Sequence, residues 1–88
     1  MKLRGEFVVR QVMDSIVAIP VGQTALRLNG MLLLNDVSKT IWDCLEQGAA
    51  LADIVTAVTD SFAVSPEEAE SDILEFLDKL RAAQLLEE

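Results

Sequence analysis

The stretch that decides the fold is Met31-Leu32-Leu33-Leu34-Asn35-Asp36, where the hydrophobic pattern changes its period. Upstream of it, apolar residues form short extended segments, and Asn29-Gly30 gives a turn signal directly before it. Downstream, apolar residues recur every three to four positions, which is the period of a helix that packs on one face. The stretch therefore predicts a strand that ends where the first long helix begins.

Two β-branched segments precede this stretch and predict a hairpin. Residues 6–12 and 15–21 are rich in Val and Ile, and only Met13-Asp14 separates them. Pairing of residues 31–34 with residues 25–28, as an extra strand, and pairing with this hairpin both fit the pattern. We expect residues 31–34 to form the third strand of a small antiparallel sheet.

Two amphipathic helices follow. The first begins at Asn35 or Asp36, both typical caps, ends at Gly48 and carries an apolar face. The second has one apolar stripe through residues 51–62. Its start is poorly capped, because Ala50 has no side-chain acceptor.

The start of a third helix is the clearest local signal in the chain. Ser65-Pro66-Glu67-Glu68 supplies an N-cap, a proline at the first helical position and the glutamate of a capping box. This helix is predicted to run to about Ala83, with Leu74 partly exposed beside its apolar stripe. The sequence thus predicts one α+β domain over residues 1–88, a three-stranded antiparallel sheet followed by three helices, in the order of winged-helix domains.

Composition and charge exclude several classes of protein. The chain has 88 residues and a net charge of −8, which disfavours nucleic acid and anionic membranes as partners. A single cysteine, no signal peptide and no long apolar run favour the cytoplasm. The chain has no His or Tyr, so the commonest general base is absent, and we expect neither an enzyme nor a cofactor or metal site.

Three other features have competing interpretations. Cys44 lies in the apolar phase of the first predicted helix, which favours packing over a reactive thiol. Asp14-Ser15 and Asp60-Ser61 resemble the attachment site of acyl carrier proteins, but neither serine precedes a helix. The winged-helix order leaves a DNA-binding regulator, acting as a dimer, as the alternative function, although residues 51–61 contain no Lys or Arg to contact DNA.

The run from Met31 to Leu34 is the feature most in need of an explanation. A central strand covered on both faces accounts for such apolarity. A three-stranded sheet, however, has two edge strands, and an apolar edge attracts another strand. A peptide that adds itself to this edge is the functional interpretation.

At these residues the chain resembles a known family, the PqqD-like proteins, which are also called recognition elements of ribosomally made and modified peptides. The resemblance covers residues 7–86, and its segments are Phe7-Val8-Val9-Arg10, residues 16–22, residues 28–36, Ile41-Trp42, Leu45, Ile54-Val55, Val64, Asp72-Ile73, Phe76-Leu77, Leu80 and Leu85-Leu86. It implies a non-catalytic peptide chaperone with a winged-helix-like fold. Its partners would be the leader segment of a precursor peptide and a modifying enzyme, commonly a radical S-adenosylmethionine protein. A homodimer remains open.

The resemblance also implies a site. The leader would lie beside residues 31–34 as an added strand, and the helix side of its groove would be Ile73, Leu74, Leu77 and Arg81. Two departures from the family pattern concern helix ends. Ala50 replaces a usual Thr or Ser, and Gln84 replaces a frequent Gly, so a left-handed conformation at Gln84 would cost about 1 to 2 kcal/mol.

Overall fold

The computed structural model describes all 88 residues. Its elements in chain order are β1 (Lys2–Leu3), β2 (Phe7–Val12), β3 (Ser15–Pro20), α1 (Gly22–Arg27), β4 (Leu32–Leu34), α2 (Asp36–Gln47), α3 (Leu51–Ser61), α4 (Pro66–Ala82) and β5 (Leu86–Glu87). The α+β class with a three-stranded antiparallel sheet is confirmed. The structure adds one short helix and a pair of terminal strands.

The three-stranded sheet has the order β2-β3-β4. Strands β2 and β3 form the predicted hairpin, in which Val12 faces Ser15 across the two-residue turn. Met13 in that turn has a φ of 56°, the left-handed conformation of a tight hairpin turn. Strand β4 pairs with β3, placing Ile16 opposite Leu34 and Ala18 opposite Leu32, and the third strand is confirmed with this partner.

Residues 25–28 do not form an extra strand, because residues 22–27 form helix α1. Its buried Thr24 accepts a hydrogen bond at Oγ1 from the Glu6 backbone N–H at 2.8 Å, which ties the helix to the start of β2. The turn signal Asn29-Gly30 therefore closes no local hairpin. It returns the chain, through a φ of 86° at Gly30, to the far edge of β3.

The three predicted helices correspond to α2, α3 and α4, and their predicted caps are confirmed. The Asn35 side chain accepts a hydrogen bond from the Ser38 N–H at 2.8 Å, and the Ser65 hydroxyl accepts one from the Glu68 N–H at 3.2 Å. Ala50 gives α3 no side-chain cap. Instead the Asp53 carboxylate accepts from the Ala50 N–H at 3.2 Å, so α3 has half of a capping box.

The chain ends meet in a second, two-stranded sheet that the sequence pattern did not predict. Strand β1 pairs with β5, with Leu3 opposite Leu86. Gln84 has a φ of 59° and reverses the chain after α4 to make this pairing, as expected at a position where glycine is frequent. The termini are thereby held near the C-terminal end of α2. The Met1 ammonium group donates to the carbonyl of Ala49, just after that helix, at 2.8 Å.

One hydrophobic core takes side chains from the sheet and from all three long helices. Its members are Ala18, Leu34, Ile41, Trp42, Leu45, Ile54, Val58, Ala69, Ile73, Leu77, Leu80, Leu85 and Leu86. Phe7 packs edge-on against Trp42 with a ring-centroid distance of 5.1 Å, joining β2 to α2. No helix is both long enough and apolar enough to cross a membrane.

Candidate functional site

Strand β4 lies at an edge of the sheet, since only its β3 side is paired. Its side chains alternate between the core and solvent: Leu34 is 5% exposed, whereas Leu33 is 73% exposed. Met31, directly before the strand, is 56% exposed. The free edge therefore offers unpaired backbone groups next to apolar side chains.

A groove separates this edge from α4. Its central cavity has a volume of about 220 Å³ and is lined by Leu32, Leu33, Asn35, Ser38, Phe76, Lys79, Leu80, Ala83 and Leu85. A cavity of about 250 Å³ continues it toward the start of α4 and shares Asn35, Ser38, Phe76 and Lys79 with it. A third, of about 340 Å³, continues it toward the end of α4 and shares Ala83 and Leu85. We call these three cavities together the β4–α4 groove.

The four residues predicted for the strand side of the site lie along this edge, and two of them line the groove. Leu32 and Leu33 line the central cavity, and Met31 and Leu34 flank them on the same strand segment. The buried side chain of Leu34 fixes the strand on the core, so that its outer edge is held beside the cavity. Strand β4 is thus anchored to the core on one face and keeps its outer backbone edge unpaired.

None of the four residues predicted for the helix side of the site lines the groove. Ile73 and Leu77 are 0% and 1% exposed and belong to the core. Leu74 is 40% exposed, as predicted. Around the axis of α4 it lies about 100° from Ile73 on one side, whereas Lys79 lies about 120° from Ile73 on the other side. Arg81 shares the flank of Leu74 and is held there by Asp78 at 2.9 Å and Glu88 at 2.8 Å.

The helix side of the groove consists in the centre of Phe76, Lys79 and Leu80 of α4 and of Ala83, the residue that caps its C-terminus, with Asp72 and Glu75 toward the start of the helix. Their spacing of three to four residues marks one helix flank and is visible in the sequence. The sequence pattern could not indicate which of the two flanks of the apolar stripe faces β4. That choice depends on how α4 is rotated against the sheet.

Two features bear on catalytic and metal chemistry, the single thiol and the distribution of possible metal ligands. Cys44 is the only thiol, and burial raises its pKa, with the nearby carboxylates of Asp43 and Asp53 raising it further. It therefore stays protonated at neutral pH and is a weak nucleophile. No three potential metal-ligating side chains come together.

Comparison with solved structures connects this fold to leader-peptide complexes. The structure of TbiB1 in complex with the TbiA(β) leader peptide is 28% identical, superimposes with a TM-score of 0.75 and is covered over 95% of its chain and 99% of this one. Lasso peptide synthetase B1 complexed with the leader peptide is 25% identical, with a TM-score of 0.71 and coverage of 93% and 96%. No protein of curated function matches the sequence.

A family model also matches the sequence. It describes coenzyme PQQ synthesis protein D, and the match runs over residues 16–86, from β3 through the first residue of β5. The matched residues include the edge strand β4 and the whole of α4, the two elements that form the groove. The chain belongs to the PqqD family.

Proposed function

We propose that this chain binds the leader segment of a ribosomally made precursor peptide and presents it to a modifying enzyme. The leader adds as a strand to the free edge of β4 and lies in the β4–α4 groove. The observation that carries this proposal is the apolar edge strand beside an open groove. The two similar structures, both leader-peptide complexes, support it.

The edge supplies affinity for the backbone of the leader. Unpaired N–H and C=O groups of β4 can form ladder hydrogen bonds with any extended peptide, so this part of the interaction does not depend on the leader's sequence. Alternate side chains of the added strand then point into the groove, about 6.6 Å apart. The groove side chains therefore provide selectivity.

The helix side of this proposed site consists of Phe76, Lys79 and Ala83. Phe76 and Ala83 offer apolar contact area, and Lys79 carries the only charge in the central cavity. These three residues replace the helix set expected from the sequence, and Met31–Leu34 are kept as the strand side. Leu74 and Arg81 lie outside the proposed groove, on the opposite flank of α4.

The proposed role is non-catalytic, and a separate enzyme performs the modification. In support, the sequence contains no His or Tyr, and the one thiol has a raised pKa. A radical S-adenosylmethionine protein is the partner that the family resemblance implies. Because the precursor is made on ribosomes, we place this step in the cytoplasm.

Residues 1–88 are proposed to act as one peptide-binding domain. The single core, which includes residues from β3 to β5, supports this. The pairing of β1 with β5 also ties the two ends of the chain together. The groove is therefore supported by elements from the whole chain.

The experiment that tests the function uses fluorescein-labelled synthetic peptides covering the short reading frames that flank the gene. One of them should bind in fluorescence anisotropy with a micromolar Kd or tighter, and the protein should leave its covalent structure unchanged in mass spectrometry. Ala83→Trp, which fills the central cavity, should abolish binding, whereas Ala52→Trp on the exposed side of α3 should not. Binding that is unaffected by Ala83→Trp would contradict the proposed site.

A second arm of the same experiment uses a labelled DNA duplex in place of the peptide. We expect no salt-dependent binding, because α3 has no basic residue and the chain has a net charge of −8. Micromolar binding that weakens with salt would instead support a winged-helix regulator.

A further inference from the structure

The charged side chains of the β4–α4 groove are distributed unevenly along its length. Asp72, Glu75 and Lys79 line the cavity nearest the start of α4, which gives this cavity a net negative charge. Lys79 is the only charged residue in the central cavity, and Arg27 is the only one in the cavity at the end of α4. The groove is therefore acidic at one end and basic at the other.

None of these four side chains has a described structural partner. The ion pairs of the chain are Lys39–Asp43, Arg81–Asp78 and Arg81–Glu88, and no side-chain hydrogen bond involves Asp72, Glu75, Lys79 or Arg27. Asp72 and Glu75 are also too far along α4 to be explained by the helix N-terminus, whose first turn already holds Glu67 and Glu68. The four groups are free to pair with a ligand.

The cavities are spaced to accept successive side chains of one strand. The groove follows α4 from Asp72 to its end at Ala82 and the two residues beyond, about 18 Å at about 1.5 Å per residue, which is the length of about five or six extended residues. Along the helix, neighbouring cavities are displaced by about one turn, or 5.4 Å. Side chains on one face of a strand are about 6.6 Å apart, so alternate residues of a bound strand enter consecutive cavities.

We propose that the groove selects a leader segment of the pattern basic–x–apolar–x–acidic, read from its N-terminus, an inference that rests on the proposed function. The apolar side chain fills the central cavity, the basic one faces Asp72 and Glu75, and the acidic one faces Arg27. The direction follows from strand pairing: β4 runs toward Asn35, which lines the acidic end. Antiparallel addition, the slightly more stable mode, therefore puts the N-terminal side of the leader there.

The occupant is thus a peptide strand of defined charge order rather than a uniformly basic partner. The net charge of −8 attracts cations to the whole surface, but the groove also carries two unpaired cations next to two unpaired anions. Each exposed ion pair changes affinity by up to about fivefold. Two pairs at opposite ends fix the register and direction of a strand that backbone hydrogen bonds alone would leave variable.

Selection from phage that display random 12-residue peptides, on the immobilised full chain, tests the proposal. Enriched peptides should contain Lys or Arg, an apolar residue and Asp or Glu at alternate positions in that order. Asp72→Lys should remove the preference for the basic residue and weaken a selected synthetic peptide by about fivefold. Glu70→Lys makes the same charge change on the other flank of α4. It should leave the preference for the basic residue and the affinity for the selected peptide unchanged.

The other outcomes separate the two proposals. Peptides enriched for alternating apolar residues without a charge order, or with the reverse order, overturn the charge pattern and leave the proposed function standing. Failure of the wild-type protein to enrich any peptide beyond the Ala83→Trp variant overturns both. A dimer in analytical ultracentrifugation that Ala83→Trp converts to monomer would identify a second copy of the chain as the occupant, and it would also overturn both.

Discussion

The two edges of the three-stranded sheet differ in how they are protected. On β2, six residues long, Arg10 lies mid-strand, and its guanidinium donates to the Val9 carbonyl at 3.2 Å. On β4, three residues long, every side chain is leucine and the edge faces a groove. Charge on an edge strand discourages the addition of another strand, whereas an apolar edge invites it.

This difference shows that position at the edge is not sufficient for a binding site. Both strands have unpaired backbone groups, but the free side of β4 faces α4 across a cavity, whereas on β2 only Phe7, at the start of the strand, borders one, shared with Trp42 and Glu46 of α2. A strand added to β4 would bury side chains against α4, while the rest of β2 would offer an added strand backbone hydrogen bonds alone.

The largest effect is expected from filling the groove. Ala83→Trp places an indole in the central cavity of about 220 Å³ and should weaken leader binding by about thirtyfold or more, as loss of a buried anchor does. Thermal unfolding should change little, because Ala83 is exposed. The matched variant Ala52→Trp should bind like wild type, and equal loss in both variants would mean that the groove is not the site.

A smaller effect is expected from shortening an edge side chain. Leu33→Ala should weaken binding by about fivefold at most, since it removes one cross-strand contact with the added peptide. Its stability should stay within about 0.5 kcal/mol of wild type, because Leu33 is 73% exposed. Val12→Ala makes a comparable change on β2, where the side chain is 54% exposed, and isothermal titration calorimetry should show no loss of affinity there.

Removing the charge from β2 should make the two edges more alike. Arg10→Val frees the Val9 carbonyl and extends the run of β-branched residues, so the variant should self-associate more strongly at high concentration. Sedimentation velocity of both proteins over the same concentration series measures this. If Arg10→Val sediments like wild type, the arginine is not what protects that edge.

The smallest effect on binding is expected at Cys44, which packs on the core and lines none of the groove cavities. Cys44→Ala should cost about 1 kcal/mol of stability in urea unfolding and leave leader affinity unchanged.

The raised pKa of the Cys44 thiol also predicts a pH dependence of stability, since the unfolded chain loses that proton more readily. Wild-type stability should therefore fall as the pH rises above about 8.5, and this contribution should vanish in Cys44→Ala. A binding defect in the folded variant would contradict a purely structural role.

Much of the fold was predictable from local chemistry. The caps at Asn35 and Ser65, and the hairpin around Met13-Asp14, depend on residues close in sequence, and the structure confirms them. Helix α1 was missed because Ala25-Leu26-Arg27-Leu28 is too short to show a period. The pairing of β1 with β5 joins residues more than 80 positions apart, for which no local signal exists.

For the proposed groove, the sequence pattern indicates the strand side but not the helix side. An apolar run that includes an edge strand is visible in the sequence, and it led to Met31–Leu34. The helix side depends on the rotation of α4, which the pattern does not determine, and the set that includes Leu74 and Arg81 came from the family resemblance. Ile73 and Leu77 show the same limit of the sequence pattern, since both are buried in the core. An apolar helix residue that faces the core and one that faces a groove look alike in the sequence.

The most direct test of strand addition at β4 is amide shift mapping of the ¹⁵N-labelled protein with the leader peptide found by anisotropy. We predict the largest shift changes at Met31–Leu34 and at Phe76, Lys79 and Ala83, with slowed hydrogen exchange of β4 amides in the complex. Shift changes centred on the β2 edge, on Asp53–Thr59 of α3, or on the flank of α4 that carries Leu74 and Arg81 would contradict the proposed site.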